Sequence, residues 1–426
     1  MDYTVPKGMR DFLPAQMHTR LEVMRKIEDV FRTFGYLPLS TPAIEKLEVL
    51  QKKGGEEIEG QIFQIGGGMG QGGMGLRFDL TVPLCRVVAS NSFPLPFKRY
   101  CIAPVWRREE PQKGRFREFY QADVDIVGSP SPRCEAELLA CAKYALYQLG
   151  FKAPKIMLNN RHVLNALAQK LQIPQDKHNA MFRTLDKIGK QPIEKIKEEM
   201  VQKGISQKAA GGLEQFISFS GTNEKTISFV RETLGDVASE GAGELEAVVA
   251  ECKNYGFEPQ ISLSLVRGLD YYTGSVFEIS ASDEIGSVSG GGRYDQMIGT
   301  YGAPLPAVGI SLGIERLITL LEGKKTSQKS AVARLFIANA KPEVFPYAIE
   351  IAWALRQKGI NCEVDLLSRN LRKQFDYANS SGVCFIAIVG EKERAAKKLT
   401  LRDLQSGQEE LCTVDEAADK IRNDAK

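Results

Sequence analysis

FKRYCIAPVWRREEPQKGRFREFYQADVDIVG, residues 97 to 128, reads as two strands folded back on each other. Arg99 to Trp106 and Phe119 to Val127 are strand-like runs, and Pro111, Gln112, Lys113 and Gly114 between them have the character of a loop tip. On the returning strand Gln121, Asp123 and Asp125 share one face at period two, while Ala122, Val124 and Ile126 share the other. One face is apolar; the other is polar and acidic. Such a polar row suits the solvent side of a sheet, or the floor of a cleft that takes a cationic or hydrogen-bonding ligand. From Phe97 to Glu118 there are seven Lys or Arg against three Glu, in a chain whose formal net charge is only +3. These basic groups ring the hairpin and suit either a polyanion or plain solvation of an exposed loop.

Outward from this hairpin, further strand-like runs occur at Leu76 to Leu80, Lys155 to Leu158, Ile261 to Val266, Ser275 to Ser280 and Ala307 to Ile310. Few alternate with helices in βαβ order, which predicts an α+β fold with a mostly antiparallel sheet. Leu21, Met24, Ile27, Phe31 and Phe34 form an apolar stripe over residues 18 to 34, a helix stopped by Gly35. Tyr36 to Ser40 follows as an antiparallel edge strand ending at Thr41-Pro42. Residues 60 to 75 hold eight glycines, too many for a packed element and without the GxxxxGK[ST] pattern of a phosphate loop, so a hairpin tip is expected. The pattern divides the chain into a catalytic-type domain at 1–165 and 252–322, a helical insertion at 166–251, a linker at 323–331 and a mixed α/β domain with parallel strands at 332–426.

Composition narrows the classes. At 426 residues the chain exceeds a single core, and 43% hydrophobic with 26% charged residues is ordinary for a globular protein rather than a disordered one. The longest nearly uncharged stretch, around Leu138 to Leu149, is too short for a membrane span, and a cytoplasmic location is expected. Eight cysteines lie scattered without a CxxC pair, which predicts reduced, mostly buried thiols. His18, His162 and His178 are far apart in sequence, so neither a histidine metal site nor a Ser-His-Asp triad is expected, and no metal ligands are assigned.

Three further segments carry chemistry. In SLVRGLDYYTGSVFEI, residues 264 to 279, Arg267 follows an apolar run, and an arginine there can make two parallel hydrogen bonds to a phosphate or carboxylate. The bland reading is an Arg267–Asp270 ion pair with Tyr271 and Tyr272 packed as core. SGGGRYDQMIG, residues 289 to 299, lets backbone approach a ligand closely, a weak signal alone. PAVGISLGIERLITLLEG, residues 306 to 323, sets Arg316 near a helix N-terminus, where an anion is favoured.

Together these segments resemble the class II aminoacyl-tRNA synthetases, and within them the histidyl-tRNA synthetase family. The match is carried by KGMRDFLP from Lys7, RFDLTVPLCRV at 77 to 87, RREEPQKGRFREFYQADVDIVG, VRGLDYYTG, GGGRYD and GISLGIERL, nearly the whole chain. The resemblance implies ATP as a substrate with Mg²⁺ bound to it, L-histidine and tRNA(His) as partners, and a homodimer built on the first helix and the strand through Pro42. It implies that Arg107, Arg115 and Arg316 grip the ATP phosphates and that Arg267 is catalytic together with Arg107. It further implies that Asp79, Thr81 and Gln121 hold the amino group of histidine and that Asp125 and Tyr272 hold its imidazole, with Tyr271 and Tyr294 close by. Some members carry Glu where this chain has Asp79 and Asp125, and the glycine-rich run before Leu76 is outside the family pattern. The alternative is the histidine-sensing regulatory subunit of ATP phosphoribosyltransferase. Against it stand the intact signatures and the C-terminal domain.

Overall fold

The structure is a computed structural model that describes residues 3–52, 60–66, 73–111, 115–188, 191–267, 271–282, 286–322 and 333–424. It divides into two compact units, Met1–Lys324 and Lys325–Lys426. The strands of the first unit, in chain order, are β1 (Leu37–Pro38), β2 (Ile44–Lys46), β3 (Gln64–Ile65), β4 (Met74–Leu76), β5 (Phe97–Trp106), β6 (Glu118–Val127), β7 (Lys155–Asn160), β8 (Gln260–Ile261), β9 (Ser275–Ser280), β10 (Ser287–Arg293) and β11 (Ala307–Gly313). Eight of them form one sheet in the order β1-β5-β6-β11-β10-β9-β7-β8. Every interior pair is antiparallel, as expected.

Several sequence expectations change. β1 pairs with β5 in parallel rather than antiparallel. The reason is the long segment between them, which supplies the crossover that a parallel pair requires. Leu76 to Leu80 is not one strand: β4 ends at Leu76 and belongs to a separate three-stranded sheet, β2-β4-β3. Only Gln260–Ile261 of the run to Val266 is a strand. Beyond it the chain turns, with Leu265 N–H bonded to the Ser262 carbonyl and buried Asn159 donating to the carbonyls of Leu263 and Leu265. The glycine run at 290–292 lies inside β10, in mid-sheet, rather than in a loop.

The first helix spans Pro14–Thr33 and buries Val23, Ile27, Val30 and Phe31, with Met24 and Phe34 packed against the same core, so of the expected stripe only Leu21, 52% exposed, turns away. With the helix Arg133–Gln148 it covers the apolar face of the sheet, where Ala122, Val124 and Ile126 lie in one core cluster. Each of the larger apolar side chains removed from water, such as Val124 and Ile126, stabilises the unit by about 1.5–3 kcal/mol before chain entropy is counted. Helices run from Arg161–Lys170 to Ser239–Asn254, and their apolar faces join that same cluster. β3 and β4 are the antiparallel flanks of the glycine-rich hairpin; residues 67–72 at its tip lie outside the described residues, as does the linker at 323–331.

The second unit has five strands, β12 (Leu335–Asn339), β13 (Cys362–Val364), β14 (Phe385–Val389), β15 (Leu399–Asp403) and β16 (Glu409–Cys412), in the order β13-β12-β14-β15-β16. β12 is parallel to both neighbours, and the two far pairs are antiparallel. Helices Phe345–Gln357 and Val414–Asn423 pack on one side, giving it a core of its own. None of the eight cysteines is in a disulfide, and seven are buried. No helix among the described residues is long and apolar enough to cross a membrane.

Candidate active site

The polar face of β6 is buried rather than solvated: Asp123 and Asp125 are 4% and 2% exposed. Register explains what surrounds them. Asp125 lies opposite Arg99 on β5 and Gly309 on β11, and Asp123 lies opposite Cys101 and Ser311. A Cβ at Gly309 would come within 2.0 Å of the Asp125 carboxylate, so only glycine leaves room for it. Beyond β11 the row continues onto Gly290 and Gly292, where a Cβ would meet the Arg267 guanidinium at 1.6 Å and the Tyr272 ring at 2.6 Å. The glycines of β10 thus clear the sheet so that Arg267 and Tyr272 can lie on it. They shape the cleft by omission, and backbone approach to a ligand is not needed to explain them.

Buried ion pairs fix the floor. The Arg99 guanidinium bonds Asp125 at 2.7 Å and the Leu80 carbonyl at 3.1 Å, and the Tyr294 hydroxyl donates to the other Asp125 oxygen at 2.5 Å. Tyr271 stacks edge-on to Tyr294 and packs beside Tyr272. Gln121 donates to the Ser311 hydroxyl at 2.8 Å, and Asp79 accepts from Val82 N–H at 3.0 Å as the chain enters the helix Thr81–Ser90. Arg99 was not among the residues read from sequence as site-forming. The available signal was its place in β5, two residues from Cys101 on a face that alternation would reserve for small or apolar groups.

Burial raises the Asp79 carboxyl above its ordinary range, against Val82 N–H and Arg107. Burial likewise raises Asp125 in spite of Arg99. The Asp123 carboxyl is pushed up to about 7, by burial first and by Asp125 and Asp79, with Arg99 and Ser311 opposing. Among the described residues, Asp79 Oδ2, Gln121 Oε1, Asp123 Oδ1, Arg267 Nε and, its ion pair with Arg99 aside, Asp125 Oδ2 are buried in this cleft without a hydrogen-bond partner. Buried polar atoms are normally satisfied, so this constellation is shaped for a ligand that brings several N–H donors and an anionic group.

At the other end of the cleft the charges are positive. Arg107 Nε donates to the Phe78 carbonyl at 3.0 Å and its guanidinium lies over the Phe119 ring. Arg316, near the start of the helix Ile314–Glu322, donates to the Ser287 carbonyl. Burial lowers its pKa, and repulsion from Arg115 and Arg267 lowers it further, so these three cations share one field. For Arg267, burial opposes the charge but Tyr272, Glu278 and Tyr271 outweigh it, leaving its pKa raised. Asp270, and with it the ion-pair reading of Arg267, lies outside the described residues, as do Gln112 to Gly114. Thr81 is half-buried at its helix start and Arg115 is exposed on the hairpin.

Two charged residues within these segments are structural. Arg293 of GGGRYD pairs with buried Glu135 through two bonds of 2.6 and 2.7 Å, far too well satisfied to serve a ligand. Glu315 holds Arg20 at 2.5 Å and Tyr120 N–H at 3.0 Å, fastening the first helix to the sheet. The segment from Lys7 braces the hairpin: Arg117 N–H bonds the Gly8 carbonyl at 2.8 Å and Arg10 stacks on Phe116. Away from the cleft, His162, Glu240 and Glu244 lie close together, with Glu244 already accepting from Asn160 at 2.6 Å.

Comparison with known proteins agrees with this geometry. Residues 8–317 match the family model for histidyl-tRNA synthetase, and residues 334–424 match that for an anticodon binding domain. A histidine–tRNA ligase of Korarchaeum cryptofilum is 38% identical over 98% of each chain, and one of Aeropyrum pernix is 37% identical over 98% of this chain and 97% of its own. The crystal structure of histidyl-tRNA synthetase from Nostoc sp. PCC 7120 superposes with a TM-score of 0.85 at 31% identity, covering 99% of each chain. A full-length fold, a cleft and two family models coincide, and the chain belongs to the histidyl-tRNA synthetase family.

Proposed function

We propose that this chain activates L-histidine with ATP and transfers it to the 3′ end of tRNA(His). The observation that carries the reading is the pairing of unpartnered buried acceptors at one end of the cleft with a cluster of arginines at the other. An α-ammonium brings three N–H donors, and Asp79 Oδ2 and Gln121 Oε1, with the Thr81 hydroxyl beside them, are acceptors of the right number. Asp125, charge-balanced by Arg99 and aimed by Tyr294, accepts an imidazole N–H, with Tyr272 and Tyr271 forming the wall.

In the first step a histidine carboxylate oxygen attacks the α-phosphorus in line, the new P–O bond forming as the bond to the pyrophosphate oxygen breaks. Arg267 and Arg107 stabilise the charge gathering on that phosphate, while Arg316 and Arg115 hold the departing phosphates. Held on the sheet by the gap at Gly290, Arg267 is positioned before substrate arrives. Mg²⁺ brought by the nucleotide would supply further neutralisation of phosphate charge. Glu278, which faces both Arg267 and Arg316, is the carboxylate that would hold it. In the second step the terminal ribose hydroxyl attacks the acyl carbon and AMP leaves. No side-chain base for this step is evident among the described residues of the cleft, so the adenylate phosphate takes the proton.

Residues 332–426 serve as the anticodon-binding domain, 1–165 with 252–322 as the catalytic domain and 166–251 as its helical insertion. A homodimer is supported by apolar groups left exposed around the first helix and β1, Leu21 at 52% and Leu37 at 59%. Histidine-dependent exchange of labelled pyrophosphate into ATP, without tRNA and with other amino acids as controls, tests the reading. Exchange with histidine alone is expected. Histidine binding without exchange would favour the regulatory-subunit reading instead.

A further inference from the structure

The arginines assigned to ATP stand on two separate elements, Arg107 and Arg115 on the hairpin between β5 and β6 and Arg316 on the helix Ile314–Glu322. Before a nucleotide arrives, like charges drive these elements apart, and contacts elsewhere must hold them at the spacing that one triphosphate needs. The segment from Lys7 to Phe12 makes such contacts. The Gly8 carbonyl accepts from Arg117 N–H at 2.8 Å, and the Arg117 carbonyl accepts from Arg107 N–H at 2.9 Å, so two backbone bonds lead from the segment to Arg107. Lys7 pairs with Glu110 on the outgoing limb of the hairpin at 2.8 Å, and Glu110 also meets Arg117 at 3.4 Å. Gly8 lies in the left-handed region at φ +85°, and a Cβ there would come within 2.8 Å of Arg117 Cγ, so this close approach requires glycine. Arg10 reaches further. Its guanidinium lies 3.5 Å from the centre of the Phe116 ring, beside Arg115, and 4.0 Å from the carboxylate of Glu315, the neighbour of Arg316. Glu315 is itself anchored on Arg20 and Tyr120 N–H, which makes it a fixed point.

We propose that Arg10 is a positioning residue for the nucleotide, tying the hairpin to the helix through Phe116 and Glu315 and so holding Arg107, Arg115 and Arg316 at the spacing of one triphosphate. The proposal rests on the reading of the cleft as the ATP site. Arginine suits this place because a planar guanidinium stacks on an aromatic face while its edge still meets a carboxylate, which an ammonium cannot do at once. The bridge touches the nucleotide end of the cleft alone; at the other end Gln121 and Asp125 are fixed by Ser311 and Arg99. Loss of Arg10 therefore acts on ATP and spares histidine. Its side chain is 34% exposed, so its removal opens no core cavity and leaves the fold in place.

The test is pyrophosphate exchange by the full chain for wild type, Arg10→Ala, Arg10→Lys, Phe116→Ala and the Arg10→Ala, Phe116→Ala double variant. ATP and histidine are varied in turn, with melting temperatures as a folding control. Arg10→Ala should raise the ATP KM about tenfold and leave the histidine KM within about twofold. Arg10→Lys keeps a charge near Glu315 without the stack, and should recover only part of that loss. The double variant should be no worse than the worse of its two parents, because both residues lie on one bridge. An unchanged ATP KM in Arg10→Ala, equal shifts in the two KM values, or additive effects in the double variant would overturn the proposal. So would a defect confined to aminoacylation with exchange intact, which would assign Arg10 to the tRNA. Absence of histidine exchange in the wild type would instead break the reading of the cleft itself.

Discussion

Arg267 and the Arg99–Asp125 pair do different work, and substitution should separate them. Arg267 offers a forked donor pair to a phosphate or carboxylate, which an ammonium cannot reproduce, so Arg267→Lys should lose catalysis almost as fully as Arg267→Ala. Pyrophosphate exchange should fall about 10²–10³-fold in both, with histidine binding by calorimetry retained and the melting temperature little changed. By contrast, Asp125→Asn leaves Arg99 buried beside an uncharged amide. A buried pair broken on one side costs about 3–5 kcal/mol, so this variant should show a clearly lower urea midpoint as well as a raised histidine KM. Asp123 makes a pH prediction with a definite sign. Its carboxyl stands at about 7 in the fold against an ordinary 3.8, so folding favours its protonated form. The stability it contributes is full below about pH 4 and is lost as pH rises through about 7. Urea unfolding at pH 5 and pH 8 should show this loss in the wild type and a smaller one in Asp123→Asn.

At the scale of elements, β10 has three glycines with three different neighbours, which alanine should tell apart. At Gly290 a methyl meets the far end of the Arg267 side chain, which can swing away; Gly290→Ala should fold normally and lose activity about as Arg267→Ala does. At Gly291 the methyl meets the Gly309 carbonyl oxygen at 2.0 Å and Ile310 Cα at 2.7 Å, which are strand backbone. Gly291→Ala should therefore push β10 from β11, lowering stability by about 3 kcal/mol or more and harming solubility. Thermal melting paired with the exchange assay distinguishes the two. Either variant behaving like the other would contradict the assigned packing. The sequence showed a glycine cluster but not its place in mid-sheet, because glycine weakens a strand locally and only neighbouring side chains make up for it. The same limit applies to the stretch after Ile261. Its apolar alternation reads as a strand, yet Asn159, a hundred residues away, bonds two of its carbonyls and turns it.

For the molecule as a whole, the two units have separate cores and the connection at 323–331 is polar and small. Unfolding should be resolvable into two transitions by calorimetry. A chain ending at residue 322 should fold and keep histidine-dependent pyrophosphate exchange within a few fold, while aminoacylation of tRNA(His) falls by at least tenfold. Loss of exchange in the shortened chain would mean that the second unit supports the first, contrary to their independent packing.

What the amino-acid order determined alone was whatever depends on local periodicity and on chemically distinctive runs. The β5–β6 hairpin, the polar row Gln121, Asp123 and Asp125, the helical stretch before residue 251 and the separate C-terminal α/β unit all announce themselves in this way. The arginines at 267 and 316 stood out because a forked cation beside a strand or helix end has few cheap uses, whereas Arg107 was singled out by the family resemblance. Only the tertiary structure decided that the polar row is a buried floor, that Arg99 neutralises Asp125, and that Arg293 is spent on Glu135. It also decided that Val23 and Val30 join the buried stripe of the first helix and that Leu21 leaves it, a boundary that period alone leaves open by a residue or so. These outcomes depend on cross-strand register and on which side chains a distant segment lays over the sheet. Register pairs residues far apart in sequence, and no pattern read along one strand can reveal its partner's.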